Sequence, residues 1–304
     1  MKLMKQIQVG KVPAPRRTLV YGTHGIGKST FGAMAEKPIF IQTEDGLGEI
    51  DCERFPLAQS YEDVLAALSE LYTEEHDYRT VVIDSLDWLE RLIWEKVCQT
   101  HKVDSIEKIP YAKGYVFALT HWREVIQGLT ALRQQRGMAI ILVAHCQIEK
   151  FANPETDTYD RYSPKLQKLA SALIQEWCDE ILFATYEVHT KTITEAFDHK
   201  RVQGIGIGRR ILRTTERPAH MAKNRLNLPE EIPLDYRVYA ACVCGEVFQM
   251  DAQTPPAVET TAPAVASPPA EDPGWITAGS AVDAAPVVAA DPVKTPRTRR
   301  AAAK

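Results

Sequence analysis

An α/β fold built on a mostly parallel sheet is predicted by three features of this 304-residue sequence. Short apolar runs alternate with longer helical patterns as far as about residue 250. A glycine-rich loop joins the first apolar run to a helix start, and the composition changes abruptly after Met250.

Taken in order, the apolar runs predict strands at residues 18–21, 38–43, 80–84, 139–144, 180–184 and 208–214. Between the second and third strands, Ser60, Tyr61, Glu62 and Asp63 form a start resembling a capping box. Val64, Leu65, Leu68 and Leu71 follow it at helical spacing. Two further helices are predicted over 85–101 and 120–136, the second closed by Gly137 at its C-terminus. No internal repeat interrupts this plan, so residues 1–250 form one α/β domain. Residues 251–304 carry nine of the 19 prolines among Ala, Thr, Ser and Val. Such a stretch buries too little apolar area to offset its ordering entropy, so it is expected to be a disordered tail with a basic end. Trp275 in that tail is a candidate docking motif for a protein partner.

Composition narrows the class further. Six cysteines at 52, 98, 146, 178, 242 and 244 form no C-x-x-C pair, which argues against a zinc cluster or disulfide framework and for a reducing cytoplasm. The sequence begins without a secretory pattern and has no run of about 18 apolar residues, so a soluble protein with no membrane association is expected. A net charge of −4 provides no general cationic field for nucleic acid, so any such contact must be local.

The chemistry concentrates at Gly22, Thr23, His24, Gly25, Ile26, Gly27, Lys28, Ser29 and Thr30. These residues set G-x-x-x-x-G-K-S between a strand and a helix start, the context of a phosphate-binding loop. The glycines let backbone N–H groups close around a β-phosphate, Lys28 neutralises β/γ oxygens, and the Ser29 hydroxyl is a ligand for Mg²⁺. The predicted strand at 80–84 ends in Asp84, an acid placed to hold the same Mg²⁺. ATP with Mg²⁺ is therefore the expected ligand.

Further motifs resemble those of RecA-like ATPases. Glu44, after the second strand, stands where that family keeps its catalytic glutamate, with the adjacent Asp45 as rival. His145 and Gln147, after the 139–144 strand, match the position that senses the γ-phosphate. The polar segment 148–164, with Lys150, Arg161 and Tyr162, occupies the place of a DNA-binding loop, although Glu149, Glu155, Asp157 and Asp160 dilute its charge. Residues 109–115, with Tyr111, Lys113 and Tyr115, form a second candidate surface. Lys223, Asn224 and Arg225 resemble the Lys-Asn-Arg element of the RadA-type branch, in which the lysine and arginine reach a neighbouring subunit's nucleotide.

As a whole, residues 15–235 resemble the small phage-encoded RecA/RadA-like P-loop ATPases, nucleotide-binding proteins of the single-strand annealing and recombination type. The resemblance implies a RecA-like P-loop NTPase fold, ATP hydrolysis with Mg²⁺, single-stranded DNA as partner and a homo-oligomer, ring or filament. Neither RadA's zinc finger and protease-like domain nor RecA's long N-terminal helix is present, so a filament in particular is not implied. Two alternatives stay open: a nucleotide-gated DNA- or protein-binding module with little turnover, and a small-molecule P-loop kinase.

Overall fold

In the computed structural model, residues 7, 9–10, 14–153, 157–194 and 200–245 are described, except for the side chains of 188–194 and 200–207. The proline-rich stretch 251–304, with Trp275 and its basic end, lies outside the described residues.

The chain runs β1 (Arg17–Gly22), α1 (Lys28–Ala33), β2 (Pro38–Gln42), β3 (Glu53–Arg54), α2 (Tyr61–Thr73), β4 (Thr80–Asp84), α3 (Leu86–His101) and α4 (Lys113–Gln135). It continues through β5 (Ala139–Phe151), β6 (Tyr159–Pro164), α5 (Lys168–Trp177), β7 (Glu180–Thr194), β8 (Lys200–Arg213), β9 (Lys223–Asn224), β10 (Glu231–Pro233) and α6 (Tyr236–Val243). The sheet order is β10-β8-β7-β1-β5-β4-β2-β3, parallel from β7 to β3 and antiparallel at β8 and β10.

Strand alternation makes the sheet two-sided. Leu19, Tyr21, Ile39, Ile41, Val81, Ile83, Ile140 and Leu142 face one core, shared with the apolar faces of α2, α3, α4 and α5. Val20, Phe40, Val82, Ile141, Val143 and Leu182 face the other, closed by Phe31 of α1 and Tyr239 of α6. Central parallel strands buried on both faces read as continuous aliphatic runs, which is why they stand out in the sequence. This is a mostly parallel sheet flanked by helices, as expected. Among the described residues, no helix is long and apolar enough to cross a membrane.

Local chemistry sets the helix starts. Ser60 Oγ accepts from the Asp63 amide at 3.2 Å, and the Asp63 carboxylate accepts from the Ser60 amide at 2.9 Å, a reciprocal cap worth about 1 kcal/mol. Gly137 follows α4 with φ +67°, a left-handed turn that suits glycine.

Two expectations need correction. Helix α4 begins at Lys113, seven residues before the predicted start, because Ile106 and Ile109 fold over its first turn. A Cβ at Gly114 would lie 2.5 Å from Ile106 Cγ1, so Gly114, a poor helix former by propensity, is the residue this contact permits. Residues 148–164 are no open loop. Strand β5 runs on to Phe151 and pairs antiparallel with β6, from Phe151↔Tyr159 to Cys146↔Pro164. Pairing satisfies the backbone of a polar segment as fully as that of an apolar one, so composition alone misread it.

Candidate nucleotide-binding site

The buried strand β1 delivers the glycine-rich loop to the carboxyl edge of the parallel strands. At its end, a Cβ on Gly22 would stand 2.2 Å from the Ala184 carbonyl of β7, so only glycine lets the two strands approach this closely. Gly27, with φ +108°, turns the chain into α1. Lys28 opens that helix and is only 5 % exposed. Its ammonium donates to the carbonyls of Gly22 at 3.1 Å and Thr23 at 2.8 Å, so it folds back over its own loop. Burial lowers the Lys28 pKa, against the opposing pull of Asp84, Asp87 and Glu44. A buried ammonium whose hydrogen-bond partners are carbonyls is chemically suited to an incoming anion.

Three acids stand opposite. Strand β4 is separated from β1 by β5, yet Asp84 at its end lies near enough to Ser29 for that hydroxyl to favour its ionised form. Burial raises the Asp84 pKa and Glu44 adds to the rise, whereas Ser29 and Lys28 oppose it. Glu44 follows β2, where the amide of Thr43 donates to the Asp84 carbonyl at 2.8 Å and locks the two strand ends together. Its carboxylate accepts from Ser85 Oγ at 3.0 Å. Asp45, the rival acid, is exposed and outside the cleft lining.

The third acid, Asp87, was not picked out from the sequence. It lies in the first turn of α3 and is buried. Its Oδ1 accepts from the His145 amide at 3.1 Å, and its two oxygens lie 3.0 and 3.1 Å from His145 Nδ1. Burial opposes ionisation of Asp87, but the His145 bonds prevail and hold it down to about 2. The available signal was an acid in the first turn of a helix that itself starts at a site acid. The His145 ring, 3.8 Å from Glu44 Oε2, also stacks on His24 of the loop, with centroids 3.9 Å apart. His145 in turn depresses the His24 pKa.

One turn beyond Asp87, buried Glu90 accepts from the Gln167 amide, at the head of α5, at 3.1 and 3.0 Å. Burial pushes Glu90 up to about 7, with Asp87 adding to the shift. The result is a cleft of about 280 Å³ lined by His24, Lys28, Ser29, Glu44, Asp84 and His145.

The remaining sequence candidates lie elsewhere. Gln147 Nε2 donates to the Pro164 carbonyl at 3.3 Å, at the base of the β5–β6 hairpin and outside the cleft lining. Arg161 lies 4.0 Å from the Phe151 ring centre and 3.3 Å from Glu216, and Tyr162 stacks on Phe183. Internal packing therefore occupies both groups. Tyr111 is 92 % exposed beside Lys113.

Lys223 and Arg225 sit at the far, amino end of the parallel strands. Strand β9 pairs with the first residues of β7, whereas Gly22 pairs at Ala184. Lys223 Nζ donates to the carbonyls of Gln175 and Cys178, both at 2.6 Å, closing the end of α5. Arg225 is more than half exposed and lies 3.4 Å from Asp179, which Arg17 also holds at 2.6 Å. Within one chain, neither Lys223 nor Arg225 meets the phosphate-binding loop.

Comparison with known proteins adds a family. A sequence-family model described as AAA domain matches residues 14–226. No curated protein matches. Among solved structures, a RadB recombinase crystal structure is similar at 13 % identity, covering 69 % of this chain and 91 % of that one, with a TM-score of 0.35.

Proposed function

Because the chain belongs to the AAA domain family, with a RecA-like P-loop fold, we propose that it binds ATP with Mg²⁺ and hydrolyses it in the cleft around Lys28. One observation carries the reading: a strand-loop-helix phosphate cradle, a serine–aspartate pair, a glutamate and a histidine converge on one cleft from the four neighbouring strands β1, β5, β4 and β2. The residues fit Mg²⁺ as well as the triphosphate, since Ser29 and Asp84 supply the hard oxygen donors that this ion prefers.

On triphosphate entry, Lys28 exchanges the Gly22 and Thr23 carbonyls for β/γ oxygens. The amides of His24 to Thr30 cradle the phosphates. Ser29 and Asp84 would hold Mg²⁺, whose chemistry would be to neutralise charge developing on the phosphate oxygens. Glu44 orients the attacking water and accepts its proton, and His145, lining the same cleft, reads the γ-phosphate.

Hydrolysis is coupled to single-stranded DNA in recombination or annealing. Support for this coupling comes from the sensor strand, because β5 continues from His145 into the β5–β6 hairpin. The Lys165 amide on the hairpin's return donates to the His145 carbonyl at 2.8 Å. Tyr111 and Lys113 offer an exposed stacking and phosphate contact. In a homo-oligomer, exposed Arg225, with Lys223 behind it, reaches a neighbour's γ-phosphate.

The test is ATP hydrolysis with and without single-stranded DNA, in wild type and Glu44→Gln. DNA should stimulate the wild type, and Glu44→Gln should lose at least about 100-fold in kcat while still binding ATP. Tight ATP binding without turnover in the wild type would instead identify a nucleotide-gated binding module.

A further inference from the structure

His145 lies within β5, where its parallel pairing with β1 ends and the β5–β6 hairpin begins, and its side chain is held from outside the strand. Asp87 grips it at two points, the backbone amide at 3.1 Å and ring Nδ1 at 3.0 Å. An ionised carboxylate only accepts hydrogen bonds, so Nδ1 is the donor and carries its proton. The His24 ring covers one face of the imidazole and blocks it from tilting out of its plane toward that side. Nε2 is left as the ring nitrogen not engaged by Asp87, on a side chain that lines the same cleft as Lys28 and Ser29. A buried charged partner is a poor way to gain stability, since its desolvation offsets most of the attraction. Orientation of the ring accounts for it better.

We propose that Asp87 is a positioning residue, which fixes the orientation and tautomer of His145 so that Nε2 addresses the γ-phosphate and the cleft distinguishes ATP from ADP. The same division of labour, an acid holding a histidine through Nδ1 so that Nε2 acts, recurs wherever a carboxylate orients a reacting imidazole. The proposal rests on the nucleotide-binding reading above, but not on turnover.

The experiment compares Asp87→Asn, Asp87→Glu, His145→Ala and the Asp87→Asn/His145→Ala double variant. Its readouts are the dissociation constants of ATP and ADP, together with kcat and KM. Asp87→Asn should weaken ATP binding about 10-fold with ADP affinity within about threefold of wild type, and should lower kcat by a similar factor. Asp87→Glu should recover part of that loss. The double variant should be no worse than His145→Ala alone, because both changes remove one function.

Retained ADP binding doubles as the check on folding. Should Asp87→Asn fail it, ring-nitrogen NMR of the wild type decides the question. His145 should show the Nδ1-protonated tautomer, and its Nε2 signal should move with a non-hydrolysable ATP analogue but not with ADP. An unchanged ATP-to-ADP preference in folded Asp87→Asn, additive losses in the double variant, or an Nε2 signal indifferent to the analogue would each overturn the proposal. A wild type that binds ATP without hydrolysing it would instead overturn the hydrolysis reading, leaving the ATP-to-ADP preference and the NMR signal to decide this one.

Discussion

Lys28 and Lys223 make the same kind of contact at opposite ends of the strands of one sheet. Each ammonium donates to backbone carbonyls: Lys28 to Gly22 and Thr23, Lys223 to Gln175, Glu176 and Cys178. Their surroundings separate them. Around Lys28 the polar groups border a cleft, so its carbonyl bonds are exchangeable for phosphate oxygens. Around Lys223 the charges satisfy one another: Asp179 takes Arg17 and Arg225, and Arg17 also lies over the Trp177 ring, 5.2 Å from its centre. The lysine itself neutralises the negative end of α5. A cation beside an open cleft is poised for a ligand, whereas one that closes the carbonyls at a helix end of its own chain is a brace.

The strongest way to break this contrast is Lys28→Ala. It should weaken ATP binding by at least about 100-fold, the loss expected for roughly 3 kcal/mol of charge-assisted bonding. Melting should stay unchanged or rise, since the buried ammonium is itself strained toward neutrality. Wild-type affinity in calorimetric titration would remove Lys28 from the site.

Glu90, behind the cleft, sharpens the contrast through pH. Its folded pKa of about 7 lies above the ordinary glutamate value, so the native state holds its proton longer than the unfolded chain. The stability it contributes is complete below pH ~4.5 and is lost as pH rises through about 7, by up to roughly 3 kcal/mol. Glu90→Gln should flatten that part of the profile in urea unfolding between pH 5 and 8. Parallel profiles for the two proteins would refute the assignment.

Lys223→Met should cost about 2 kcal/mol of stability by denaturant unfolding while leaving ATP affinity of the isolated chain within about twofold. The reverse pattern, full stability with lost turnover, would place Lys223 in a neighbour's active site rather than in a brace.

The smallest effect on stability belongs to Arg225→Ala, under about 1 kcal/mol, because the pair is half exposed and Asp179 keeps Arg17. It is nevertheless the test of assembly. Arg225→Ala chains mixed with Lys28→Ala chains should regain hydrolysis if the arginine acts between subunits. Mixed oligomers without recovery would confine Arg225 to its own chain.

Much of this was legible in the amino-acid order. Strand β4 has the bounds its apolar run predicted, and the Ser60–Asp63 cap forms as the spacing suggested. Both depend on residues within a few positions of one another. The β5–β6 hairpin was not legible, because cross-strand pairing satisfies polar residues whose composition resembles a loop. Asp87 was not legible either, since nothing local distinguishes a surface acid at a helix start from one clamped on a histidine 58 residues away.

The sequence by itself determined that a phosphate cradle would follow β1, because the glycines, Lys28 and Ser29 act through a contiguous backbone turn. It also determined the alternation of strands and helices, through hydrophobic period. Only the tertiary structure decided that His145 is gripped by Asp87, that Glu44 rather than Asp45 lines the cleft, and that Lys223 closes α5. Those outcomes depend on which strand ends and helix termini the sheet order brings within hydrogen-bonding distance, and such distances are set by packing across the whole domain.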